Sequence, residues 1–286
     1  MILLTGATGT VGRLVAERLR AVAPLRLLTR DPRRAAALAL PPDAEVRAGD
    51  LADPAGLRTA LTGVRAALLV TVDPLTHTHD ANFLTAARSA GVRHVVKLSA
   101  QAVADPGATD LVTEWQRENE RLLRASGLSW TLLRPRAFMS NTLGWAASIR
   151  AEGVVRAPYG DAANAVVDPR DIADVAVRAL TAPDTHAGRV YPLTGPVAVT
   201  ALEQTDMLAE LLGRPLKFVE LTEEQALRGL RARYPEPVAR ALLESAAHGR
   251  TGAKARVEPT VERLLGRPAR GYREWARDHL EQFRGR

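Results

Sequence analysis

The chain of 286 residues contains no cysteine. That excludes a disulfide framework, a thiolate metal centre, an iron–sulfur cluster and a cysteine nucleophile. Aromatic residues make up only 4% of the chain. The tryptophans, Trp115, Trp130, Trp145 and Trp275, are too dispersed to form a stacking platform for nucleic-acid bases. No apolar run approaches the ~18 residues a membrane span needs. Lysine is scarce as well: Lys97, Lys217 and Lys254 are the only three among 39 basic residues, and the net charge is +7. The arginines are scattered among Asp and Glu, not gathered into the stripe of a nucleic-acid binder, so a solvated arginine-rich surface is expected. The chain opens directly on MILLTGATG, without a basic leader, and the expected compartment is the cytoplasm.

Hydrophobic residues at 46% and charged residues at 25% are ordinary for a globular chain. The first half alternates between two periods. Short apolar runs at 2–5, 25–29, 45–48, 66–72, 92–98 and 128–133 read as strands. Between them, 11–20, 33–40, 54–61, 80–90 and 114–125 have helical spacing, with Asp53 as an N-cap and Gly91 and Gly127 as stops. Strands of this kind alternating with helices predict an α/β fold with a doubly wound parallel Rossmann sheet. Further on, 171–180, 200–212, 222–232, 235–248 and 272–283 read as helices, and 189–193 and 216–221 as strands. The expected division is a Rossmann domain from 1–135 and 165–195, and a smaller, mainly helical, substrate-facing subdomain from 136–164 and 196–286.

The heptad Gly6-Ala7-Thr8-Gly9-Thr10-Val11-Gly12 follows a strand and opens a helix, the context a dinucleotide fingerprint requires. Gly6 permits the tight exit from the strand. Gly9 lets the backbone approach a diphosphate, and Gly12 lets the helix pack closely. The loop, with Thr8 and the amides of Thr10 and Val11, is predicted to hold the phosphates, favoured by the helix dipole. The second strand ends on Leu28-Thr29-Arg30, where an NAD-specific site would carry an acid. Arg30 therefore favours NADPH over NADH, through charge-assisted bonds to the 2′-phosphate. Asp50 and the Leu51 amide are placed to read adenine, with turn capping as the alternative role of Asp50. Val70 and Thr71 are expected to end strand four and line the cofactor. Ser99 ends strand five, near the nicotinamide. Lys97 is expected either to touch the ribose or to cover the end of the sheet.

Several segments resemble the NmrA-like branch of the atypical short-chain dehydrogenase/reductases. They are TGATGTVG, LLTRDP, AGDL, ARSAGVRHVVKLSA, RASGLSWTLLRPRAFMSN, VDPRDIADVA, VYPLTGP and LLGRP, in order along essentially the whole chain. The resemblance implies NAD(P)(H) binding. It also implies one of two roles: reduction of quinones or other small lipophilic molecules, or regulation through the bound dinucleotide without turnover.

Typical short-chain dehydrogenases protonate a nascent alkoxide with a Tyr-x-x-x-Lys pair. Four residues after Tyr159, Tyr191, Tyr234 and Tyr272 come Ala163, Gly195, Val238 and Ala276, so no such pair exists here. The corresponding helix carries Gln116, which cannot serve as the acid, and Glu120, read as a surface residue or a carboxylate facing the site. The catalytic candidates are thus Ser99, Glu120 and Tyr159. Pro135 is expected to contact the carboxamide, and Phe138, Met139 and Asn141 to frame the substrate, with core packing and helix capping as their alternative roles. His77-Thr78-His79-Asp80 lacks a further ligand, and no metal site is expected.

The leading expectation is an NAD(P)H-dependent reductase acting on a small, largely apolar quinone or carbonyl. A non-catalytic NADP(H)-binding regulator and a non-redox Rossmann enzyme are the rivals. The expected partner is a small molecule, with neither nucleic acid nor membrane. A homodimer, and under the regulator reading a protein partner, stay open.

Overall fold

Residues 1–36 and 44–284 are described by the computed structural model. The elements run β1 (Ile2–Leu4), α1 (Thr10–Leu19), β2 (Leu25–Thr29), α2 (Pro32–Ala36), β3 (Glu45–Ala48), α3 (Pro54–Leu61), β4 (Ala66–Leu69), α4 (His79–Ser89), β5 (His94–Leu98), α5 (Leu111–Ala125) and β6 (Ser129–Pro135). There follow α6 (Ala146–Glu152), β7 (Val154–Ala157), α7 (Pro169–Thr181), α8 (Pro183–His186), β8 (Arg189–Leu193), α9 (Ala201–Leu212) and β9 (Lys217–Glu220). The chain ends through α10 (Glu223–Arg231), α11 (Glu236–His248), α12 (Thr260–Leu265) and α13 (Tyr272–Asp278).

Seven strands form one sheet in the order β3-β2-β1-β4-β5-β6-β8, and β1 to β6 pair in parallel. Ile2 of β1 is in register with Leu25 on one side and Ala66 on the other. The chain therefore winds outward from β1 to β3, then restarts beside β1 with β4. That reversal is the topological switch point, and ligands of open α/β sheets bind outside the carboxyl ends of the strands there. Every residue of β1, β4 and β5 is buried, as expected of a parallel sheet covered on both faces.

Local chemistry sets many boundaries. Asp53 caps α3, its Oδ1 accepting from the Ala55 amide at 3.0 Å. Thr200 with Glu203, and Thr222 with Gln225, form capping boxes that start α9 and α10. Gly213 ends α9 in the left-handed conformation, at φ 66°.

Several expected boundaries differ: the helix read at 114–125 begins at Leu111, and the strand read at 128–133 runs on to Pro135. Strand four stops at Leu69, not at 72, because the Thr5 side chain intervenes: its Oγ1 accepts from the Val70 amide at 2.7 Å and donates to the Val70 carbonyl at 3.1 Å. Of the helix read at 33–40, residues 37–40 lie outside the described residues, and the described part is α2. The last helix ends at Asp278 and continues as a 3₁₀ turn over Leu280–Gln282. The short elements α6, β7, α8 and α12 were not anticipated, since four to seven residues are too few to display a period.

Two compact units result. The first comprises Met1–Val103, Glu114–Pro135 and Pro169–Pro192. Its core includes Leu3, Leu28, Leu57, Leu61, Leu69, Phe83, Val95 and Leu132. The second comprises Ala104–Thr113, Arg136–Asp168 and Leu193–Arg286. Its core gathers Met139, Ile149, Val155, Leu208, Trp275 and Phe283, beside a two-stranded parallel sheet of β7 and β9.

Candidate functional site

In the first unit, β1 leads into a loop whose geometry depends on its glycines. Gly6 sits at φ +60°, and a Cβ there would lie 3.0 Å from the Val70 Cβ. The Gly9 amide donates to the Gly6 carbonyl at 2.9 Å, closing the turn. A Cβ on Gly12 would stand 2.2 Å from the Gly6 oxygen, so only glycine lets α1 pack this tightly on the loop. Helix α1 begins without a side-chain cap and without an acid in its first turn. Its first carbonyl-directed bond runs from the Arg13 amide to Gly9 at 3.2 Å. The positive end of the helix dipole thus lies behind amides of Thr10 and Val11 that no side chain caps, with Gly9 and Thr10 exposed and Thr8 half-buried. A diphosphate fits this cradle, because its oxygens accept from bare N–H groups and no Cβ blocks their approach at Gly9.

The other expected cofactor residues follow the carboxyl ends of neighbouring strands. Arg30 is exposed just beyond β2. Asp31 beyond it accepts from the Arg33 amide at 3.0 Å and so caps α2. Asp73 is held below the usual carboxylate range, first by the Thr76 hydroxyl and the Leu75 amide and more weakly by the charges of His79 and Arg30. Asp50 accepts from the Ala52 amide at 2.9 Å through Oδ1, which is its turn-capping role. The Leu51 carbonyl accepts from the Asn82 side chain at 3.1 Å. Val70 and Thr71 follow β4 instead of ending it.

Lys97 neither covers the sheet end nor reaches the surface. It is fully buried, pairs with buried Asp80 at 2.5 Å and donates to the Thr71 Oγ1 at 3.1 Å. Its ammonium also lies 5.9 Å from the centre of the Trp115 ring. A buried ion persists only with such partners, and this one ties the end of β5 to α4 and to the segment after β4.

Glu120 corrects the surface reading, being 3% exposed. Arg134 grips it with two N–H groups, at 2.8 and 2.6 Å, and the Ser99 hydroxyl donates to it at 2.6 Å. This bidentate clamp links α5 to β6 and aims Ser99. The Ser99 proton is committed to Glu120, while its oxygen keeps a lone pair for an outside donor. On the same helix, Trp115 Nε1, Gln116 Oε1 and Asn119 Nδ2 are buried without a hydrogen-bond partner. Sequence reasoning missed the role of Arg134; its signal was an arginine interrupting an apolar strand.

Pro135 is buried at the end of β6. In the second unit, Phe138 is half-buried and precedes the 3₁₀ turn Met139–Trp145. Met139, at 1% exposure, belongs to the core cluster. Asn141 is exposed, its amide donating to the Phe138 carbonyl at 3.0 Å. Tyr159 has a positive φ of 55°. Its hydroxyl donates to Glu223 at 2.8 Å, and its amide donates to Glu220 at 2.5 Å. Burial and the Glu223 carboxylate raise its pKa, so the phenol holds its proton more tightly than a free tyrosine. Among the described residues, no group of three or more His, Cys, Asp or Glu is placed to hold a metal ion. No described helix is long and apolar enough to cross a membrane.

A family profile described as NAD(P)H-binding matches residues 6–183. The chain is 55% identical over 283 residues to a (4-alkanoyl-5-oxo-2,5-dihydrofuran-3-yl)methyl phosphate reductase of Streptomyces griseus, covering 99% of both chains. It is 38% identical to an NAD(P)H azoreductase of Xenophilus azovorans, again over 99% of each. Among solved structures, the NADPH complex of the quinone oxidoreductase QOR2 from Escherichia coli is similar at a TM-score of 0.85 and 29% identity, covering 98% of this chain and 100% of that one. The chain belongs to the NAD(P)H-binding family. It is an NAD(P)H-dependent reductase.

Proposed function

We propose that this reductase uses NADPH to saturate an activated double bond in a small, phosphate-bearing, conjugated lactone of the kind named for its Streptomyces griseus relative. The 55% identity over almost the whole of both chains carries the reading. In that compound class the ring double bond is conjugated both with the lactone carbonyl and with the alkanoyl group. When bound, NADPH supplies a hydride. Hydride addition to the ring carbon bearing the phosphomethyl arm breaks the double bond, and its electron pair spreads over two carbonyl oxygens. The resulting anion is a weak base that water can protonate on the neighbouring carbon. That outcome suits a chain with no Tyr-x-x-x-Lys pair and with a Tyr159 phenol held by Glu223.

The residues divide the work of holding the reactants. The amides of Thr10 and Val11, with Gly6, Thr8, Gly9 and Gly12 shaping their approach, bind the diphosphate. Asp50 and Leu51 face adenine, and Val70, Thr71, Ser99 and Pro135 serve the nicotinamide half. Ser99, aimed by Glu120 and Arg134, accepts from the carboxamide or the substrate. Phe138 and Asn141 contribute to the substrate pocket, while Met139 supports them from the core. Quinones and azo compounds, named for the other relatives, share the property of yielding stabilised products and form the second class to test.

Purified protein should oxidise NADPH in the presence of a phosphorylated alkanoyl-butenolide. No oxidation with that compound would overturn the substrate assignment, and none across quinones and azo dyes as well would overturn the acceptor class. For the cofactor, Arg30→Ala should weaken NADPH binding by about 10- to 100-fold, the value of one charge-assisted bond of roughly 1.5–3 kcal/mol. NADH binding should change little; equal losses for both would make Arg30 a mere surface charge.

A further inference from the structure

Carboxylates neutralise many arginines of this chain: Asp174 pairs with Arg18, Glu45 with Arg26 and Glu120 with Arg134. Two cations of the second unit differ. Among the described residues, neither Arg136 nor Lys254 forms a salt bridge. The Arg136 guanidinium donates to the Ala253 carbonyl at 3.0 Å, and the Lys254 ammonium donates to Ser245 Oγ at 3.0 Å. Since Ala253 directly precedes Lys254, the first bond brings the two cationic residues together. Arg136 Nε is buried and has no hydrogen-bond partner.

The carboxylates around them already have other partners. Asp105 accepts from His248 Nε2 at 2.7 Å and from the Gly107 amide at 2.9 Å. Asp110 accepts from the Thr113 amide at 3.0 Å and the Thr113 hydroxyl at 2.7 Å. Glu258 pairs with Arg256 at 2.8 Å. Burial, and next the charge of Arg136, push Lys254 down to about 8 against a weaker pull from Asp110. Burial likewise lowers Arg136, partly offset by Asp105 and Glu258. Two partly desolvated cations side by side are costly until an anion joins them. A doubly charged oxyanion matches what they offer: a guanidinium edge with an unused N–H, an ammonium, and the Ser245 hydroxyl, whose proton is not spent on Lys254.

We propose that Arg136, Lys254 and Ser245 form the site for the phosphomonoester dianion of the substrate. The proposal rests on the substrate reading above and deepens it by assigning the residues that recognise the phosphate. The same chemistry could hold the 2′-phosphate of the cofactor, so the experiment separates the two.

The chain's three lysines make the readout clean. Lys97 is buried in its ion pair and Lys217 is exposed on β9. Trace acetylation of the wild-type protein near pH 8, read by mass spectrometry, should label both Lys254 and Lys217. Inorganic phosphate and methyl phosphate should slow labelling of Lys254 and leave Lys217 unaffected. Absence of protection by either would overturn the proposal, as would protection by NADP without any by inorganic or methyl phosphate. In turnover, Lys254→Gln should lower the kcat/KM ratio of the phosphorylated butenolide over its dephosphorylated alcohol by about tenfold or more, and Arg136→Lys should lower it less. An unchanged ratio in Lys254→Gln would refute the assignment. Protection of Lys254 by phosphate in a protein that reduces neither compound would uphold the anion site and defeat the substrate reading alone.

Discussion

His94 offers the sharpest physical test of the sheet, because its stability effect can be worked from its contacts. It is 1% exposed on β5. Its Nε2 lies 3.0 Å from the Thr131 Oγ1 and its Nδ1 lies 2.9 Å from the Ser129 Oγ. The Thr131 hydroxyl donates to the His186 carbonyl at 2.7 Å, so its oxygen accepts from His94 Nε2–H. Nδ1 is then the acceptor, and Ser129 donates to it. Protonation would place a charge in this buried site and oblige the Ser129 hydroxyl to turn from donor to acceptor. Burial chiefly, with repulsion from His186, pushes the His94 pKa down to about 4 from 6.5. The unfolded chain therefore takes up the proton first. Stability is fully present above about pH 6.5 and is lost as pH falls toward about 4, for a total of about 3 kcal/mol. Roughly 2 kcal/mol of that should disappear between about pH 7.5 and about pH 5. Urea unfolding followed by circular dichroism, at a series of pH values, measures it. His94→Gln will be less stable throughout, but the difference between it and the wild type should shrink by roughly that 2 kcal/mol over the interval. A constant difference across the series would refute the buried neutral imidazole.

The remaining expectations concern the loop and the clamp. Gly12→Ala places a methyl 2.2 Å from the Gly6 oxygen. Loop or helix must move, costing about 1–3 kcal/mol of stability and at least about tenfold in NADPH affinity; calorimetric binding and a melting temperature both unchanged would contradict the close approach. Glu120→Gln removes the charge that Arg134 pairs with, and denaturant unfolding should show a loss of about 3–5 kcal/mol. Arg134→Leu combined with Glu120→Leu should lose less than the sum of the two single changes; strict additivity would mean that the clamp is not a unit.

Much of the fold could be read from local signals. The strand at Leu25–Thr29, the one at Glu45–Ala48 and the Asp53-capped helix fall where apolar runs and capping residues put them. Gly6 and Gly12 were legible because each answers a backbone demand, a positive φ at Gly6 and an approach that leaves no room for a Cβ at Gly12. Short pieces such as α8 and α12 were not, since their helicity depends on what they pack against.

The side chains taken up by ion pairs were the least legible. Nothing near Lys97 in the chain announces Asp80, seventeen positions away on another element, and nothing near Glu120 announces Arg134 on β6. The same holds for Arg136 and Lys254, which are separated by most of the second half of the chain. The amino-acid order was sufficient to specify a parallel α/β sheet, a glycine-rich turn from β1 into α1 and an arginine in place of an acid after β2, because each is a property of neighbouring residues. Which charges are buried, which are neutralised and which stay in want of a counterion depended on folding, because those energies belong to contacts between residues distant in the chain.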